Sequence, residues 1–185
     1  MLKKENINGV NVARLFETID AINEKPEIAR FSFRANNKWI NGANTRTTIN
    51  DYYGACETHI RNEPFVFEND EPPVLLGNDI GASPLEYLLA GLAGCVTTGL
   101  VFHAAERGIA IEEVESIYEG DLDLRGFLGL SDDVRSGYEK INITLRIKSK
   151  ASREQLEELV EIAKGRSPVF DVLSNPVPVN IKLSV

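Results

Sequence analysis

The sequence predicts an α+β protein with antiparallel sheets around a buried central helix, and three observations carry that expectation. An uncharged stretch runs from Tyr87 to Ala105 between clear helix-start and helix-stop signals. The segments before and after it alternate apolar and polar residues, as half-buried strands do. Helical segments are few and do not follow strands one for one, which separates the pattern from a βα repeat.

The central helix has its boundaries written into it. Ser83 is an N-cap, Pro84 the first helical residue and Glu86 the third, a capping box with its proline. Arg107 closes the last turn, and Gly108 follows where a left-handed cap is easy. Apolar or small residues occupy every face in between, so the helix is expected to be buried all round. One domain of this size has too few partners to cover it, and a homodimer is the simplest remedy. Gly91, Gly94 and Gly99 each cost roughly 1 kcal/mol relative to Ala in a helix interior. Close packing or room for a ligand would offset that. A membrane span is the less favoured reading, because the run only reaches the minimum length and contains glycines, two threonines and His103.

Taken in order, the chain opens with helical spacing from Asn8 to Glu24, stopped by Pro26. Residues 29–34 alternate as a strand, and Asn36-Asn37 and Asn41-Gly42 are turn signals around Trp39-Ile40. Thr45–Ile49, Tyr53–Ile60 and Phe65–Phe67 are further strand candidates, followed by a loop from Asn69 through Gly77 and Gly81. Beyond Gly108, Val114–Leu124 and Ile141–Ile147 read as strands, with a loop over 126–137 carrying Phe127-Leu128. Ser152 with Gln155 caps a helix, Ser167-Pro168 starts a short one, and Val177–Val185 alternates as a final strand.

Composition narrows the function. Of 185 residues, 43% are hydrophobic and 26% charged, the profile of a globular protein. A formal net charge of -8 without a basic cluster argues against a nucleic-acid surface. Two unrelated cysteines make no disulfide framework, and the first residues lack a signal-peptide core, so a cytoplasmic, reducing setting is expected. His59 and His103 share no ligand spacing with the cysteines, and neither a metal nor another cofactor is expected.

Three sequence blocks resemble the OsmC/Ohr family of osmotically inducible and organic hydroperoxide resistance proteins. They are 71–77 (Glu-Pro-Pro-Val-Leu-Leu-Gly), 83–95 ending in Ala93-Gly94-Cys95, and 167–171 (Ser-Pro-Val-Phe-Asp). The resemblance covers residues 29–185, an OsmC-like domain, and leaves 1–28 as an N-terminal helical extension. It implies an OsmC-like fold, an intertwined homodimer, and pockets at the subunit interface that take a peroxide or another small hydrophobic ligand. In the peroxidase members one cysteine attacks the peroxide, a second resolves the sulfenic acid, and an Arg and a Glu assist.

Matched position by position, the peroxidatic residue is Cys95 and the resolving position holds Ser167. The family glutamate falls on Leu85, with Glu86 one place late and turned about 100° around the helix. No Arg occupies the 72–81 loop. A serine cannot resolve a sulfenic acid into a disulfide. The accessory candidates are therefore Cys56, Arg61, Glu86 and Ser167, each with a plainer alternative. Glu86 and Ser167 are helix caps, Arg61 is a strand-end cation, and Cys56 is a small buried residue whose strand alternation would let it meet Cys95 as a resolving thiol. Cys95 itself is either a reactive thiol or a buried small hydrophobe. Two functions follow as expectations: atypical thiol-dependent reduction of organic hydroperoxides, or non-enzymatic binding of a small hydrophobic ligand in the same pocket.

Overall fold

A computed structural model describes residues 6–184, in two compact units. One combines the chain up to Val12 with Leu89 onward; the other is Ala13–Leu88.

The second unit is built on a long hairpin. Strand β5 (Asn44–Gly54) pairs antiparallel with β6 (Glu57–Asn69), with β4 (Asn36–Asn41) and the short β3 (Ser32–Phe33) along the other edge of β5. Helix α1 (Val12–Glu24) precedes the sheet. Three expectations change here. Residues 26–29 form a 3₁₀ turn, which shortens the expected strand over 29–34, and Asn36-Asn37 lies within β4 rather than in a turn. The expected strand Tyr53–Ile60 is the tip of the β5–β6 hairpin, because Ala55 and Cys56 both adopt left-handed backbone (φ 51° and 68°) between the paired Gly54 and Glu57. Such a two-residue turn matches the strand twist, which the long flanking ladder imposes on residues that do not favour it. The Phe31 ring lies over Gly54, where a Cβ would meet it at 2.2 Å.

The loop that follows β6 is pinned from inside. Asp70 is completely buried and accepts from the Glu71 and Asn78 backbone N–H groups at 2.9 and 3.0 Å. Burial pushes its carboxyl up, but the N–H groups of Glu71, Asn78 and Ile80 outweigh that and hold it below the usual carboxylate range. Gly77 and Gly81 sit so close to the Glu71 and Glu68 carbonyls that no side chain fits.

Helix α2 (Pro84–Glu106) has the expected ends. Ser83 N–H donates to Glu86 Oε2 at 2.7 Å and Glu86 N–H to Ser83 Oγ at 3.4 Å. At the other end Gly108 (φ 73°) lets Ile109 N–H reach the Ala104 carbonyl and Gly108 N–H the Ala105 carbonyl, a Schellman cap. The junction between the units, 88/89, falls within this helix. It is long and apolar enough to cross a membrane by length and composition, and 28% of its most apolar window is buried.

In the first unit β7 (Ile111–Asp121) pairs antiparallel with β8 (Lys140–Ser149). The strand expected over Val114–Leu124 starts earlier and stops at Asp121, where Asp123 caps the single turn α3 (Leu124–Phe127). Helix α4 (Arg153–Gly165) begins with the Ser152–Gln155 capping box, and α5 (Pro168–Ser174) follows. Leu100 and Ala104 of α2 pack with Leu159 and Ala163 of α4, flanked by Val114, Leu145 and Ile147 of the sheet. The buried stripe Leu92, Val96, Leu100, Ala104 recurs every fourth residue, so one face of α2 is covered within the chain.

Both ends of this unit depart from expectation. The helix expected from Asn8 starts at Val12, because Asn8-Gly9 turns a small hairpin between β1 (Asn6–Ile7) and β2 (Val10–Asn11). The Asn8 side chain donates to the Ile109 carbonyl at 2.9 Å and accepts from Ile111 N–H at 2.8 Å. Residues 177–184 form no strand, although Val177, Val179, Ile181 and Leu183 alternate as expected; Val185 lies outside the described residues. All four of these apolar side chains are exposed.

Candidate functional site

Cys95 and Ser167, 72 residues apart in sequence, meet in the first unit. Cys95 is carried by the middle of α2, and Ser167 is the N-cap of α5. The Ser167 hydroxyl accepts from Phe170 N–H at 3.2 Å and donates to Cys95 Sγ at 3.1 Å. The cap therefore fixes the oxygen and leaves its one proton for the sulfur. Ser167 is only 2% exposed, while Cys95 is half-buried.

A third polar group lies near this pair. Tyr118 is on β7, on the same face as Val114 and Ser116, and its hydroxyl is buried without a hydrogen-bond partner. Burial pushes its phenol pKa up, the nearby Ser116 and Thr97 hydroxyls pull it back, and a Cys95 thiolate adds to the rise. Tyr118 belongs to no chemical motif in the sequence; strand alternation with Val114 is the one signal that points to it.

The remaining candidates belong to the other unit. Glu86 is engaged as the cap of Ser83, and its carboxyl is held below the usual range by the Ser83 backbone N–H, then by the Ser83 hydroxyl, against slight burial. Cys56 is exposed at the hairpin tip rather than buried along a strand, so the alternation meant to place it fails. Arg61 sits between two rings, its guanidinium carbon 5.2 Å from the Tyr52 centroid and 5.0 Å from that of Phe65, with Nη1 buried and unpaired. Tyr52 also stacks on His59 at 4.7 Å. Among the described residues no three His, Cys, Asp or Glu side chains converge as a metal site would require. An open groove of about 550 Å³ between β8 and α4, floored by Leu145, Ile147, Leu156 and Val160, contains neither thiol.

The arrangement sets a buried hydroxyl donor directly on the Cys95 sulfur. It also yields a geometric test. Substituting Ser167→Cys should give a disulfide with Cys95 on mild oxidation, read as loss of both thiols in a Cys56→Ser background. That requires Cα atoms about 4.4–6.8 Å apart, and two thiols that stay free under oxidation would refute the placement of α5 against α2.

Residues 77–182 match the model of the OsmC-like protein family, which is more than half of the chain. Solved structures agree in fold. An OsmC-like protein from Mycoplasma pneumoniae superposes with a TM-score of 0.62 at 19% identity, covering 78% of this chain and 89% of that one. An organic hydroperoxide resistance protein from Elizabethkingia anophelis, with thiocyanate bound, gives 0.58 at 18% identity over 78% and 89%. Another from Legionella pneumophila gives 0.52 at 19% over 77% and 90%. No curated protein is significantly similar in sequence.

Proposed function

The chain belongs to the OsmC-like protein family, and from that premise we propose that it reduces organic hydroperoxides through Cys95, as a homodimer in the cytoplasm. The observation that carries the reading is the Ser167 hydroxyl 3.1 Å from Cys95 Sγ, a polar contact for a sulfur that a purely packing cysteine does not need. The names of two structural relatives, organic hydroperoxide resistance proteins, point to the substrate class.

The thiolate attacks the distal peroxide oxygen; an S–O bond forms, the O–O bond breaks, and the thiol proton ends on the alcohol product. Sulfur is oxidised to a sulfenic acid and the peroxide is reduced. Ser167 steadies the anionic sulfur before attack. Arg61 and Glu86 take no part, since one is held between rings and the other caps its own helix.

Brief exposure to cumene hydroperoxide with a sulfenic-acid trap, followed by peptide mass spectrometry, should label Cys95, and faster than an equal dose of hydrogen peroxide does. Labelling of Cys56 alone would refute the peroxidase and leave the non-enzymatic binder of a small hydrophobic ligand.

A further inference from the structure

We propose that Cys95 is a one-cysteine centre whose sulfenic acid is resolved by a small external thiol, with no second cysteine of the chain taking part. The inference rests on the peroxidase reading and names its second substrate. Ser167 closes the side of the sulfur from which a resolving thiol on α5 would attack: it is 3.1 Å away, 2% exposed and locked as a cap by Phe170 N–H. A serine oxygen there forms no S–S bond, so oxidised sulfur waits for another reductant.

The other side is open. Cys95 keeps partial exposure. Gly91, one turn earlier on α2, and Gly94 beside it have nothing within 4 Å of where a Cβ would stand. An incoming small thiol would approach the sulfur from this side.

The chemistry closes with two equivalents of thiol. The first attacks the Cys95 sulfenic sulfur: an S–S bond forms, the S–O bond breaks, and water leaves with the thiol proton. The second attacks the outer sulfur of the mixed disulfide, releasing the small disulfide and restoring Cys95. The electrons therefore come from two external thiols for each hydroperoxide reduced.

The test treats the wild type and Cys56→Ser with one equivalent of cumene hydroperoxide in the presence of cysteamine, then measures intact mass. One cysteamine adduct per chain is expected on Cys95 in both proteins, absent from Cys95→Ser and lost at a rate that rises with cysteamine concentration. A Cys56–Cys95 disulfide without adduct would overturn the inference, as would direct passage to sulfinic acid. If the hydroperoxide leaves Cys95 unoxidised, the peroxidase reading fails, and a second arm judges thiol access by itself. There, 5,5′-dithiobis(2-nitrobenzoate) loads Cys95 in the Cys56→Ser variant, and cysteamine should release the nitrothiobenzoate within about tenfold of its rate from Cys56 in Cys95→Ser. Release slower by more than that refutes access.

Discussion

Replacing Cys95 by serine should abolish consumption of organic hydroperoxide in the presence of a small thiol, by about a hundredfold or more, a loss expected for removal of the nucleophile itself. The substitution is nearly isosteric, and the Ser167 hydroxyl can donate to an oxygen as it does to the sulfur, so the helix keeps its place. Thermal stability should therefore change little, which separates chemistry from folding. Cys56→Ser is the control: the thiol is exposed at a hairpin tip, and rates within about twofold of wild type are expected for a surface change. Coupled assays on the two variants decide the matter, and equal loss in both would reject Cys95 as the sole reacting sulfur.

The second large effect concerns association. Sedimentation equilibrium at low micromolar concentration should return twice 20.5 kDa. The argument is one of uncovered apolar surface. Helix α2 buries the stripe Leu92, Val96, Leu100, Ala104, while Phe102 on the opposite side stays exposed. The segment 177–184 leaves Ile181 94% and Leu183 89% exposed. Burying each such side chain would contribute roughly 1.5–3 kcal/mol, which is what a second copy would supply by covering them. If the segment adds as a strand to a second copy, its backbone amides gain hydrogen bonds. Exchange in deuterated buffer should then be slow over 177–184 in the dimer. A well-folded monomer with fast-exchanging amides there would refute the interface.

What could be read from the sequence was largely what is decided locally. The Ser83–Glu86 and Ser152–Gln155 boxes and the Gly108 cap are three- or four-residue devices, and each forms as its residues dictate. The β5–β6 tip escaped because Ala55-Cys56 has no turn chemistry; its position is fixed by register along the ladder, a property of the partner strand. Asn8-Gly9, by contrast, is a strong hairpin signal that helical spacing masked. At the site, the meeting of Cys95 with Ser167 was visible only through resemblance, since nothing local relates residues 72 positions apart. Tyr118 was hidden for a different reason: its interest lies in an unsatisfied hydroxyl, which appears only once the surrounding shell is known.

The side chain of Asn8 ties the start of the described chain to the Ile109 carbonyl and the Ile111 amide, more than a hundred positions later. A ribosome delivers Ala13–Leu88 as one uninterrupted length, so that unit can close while the rest is still being made. The other unit takes its material from both sides of that length, and the Asn8 turn has nothing to grip until residue 111 has emerged. Residues 6–12 are thus among the last to find their place, and during translation they wait for partners that lie more than a hundred positions later.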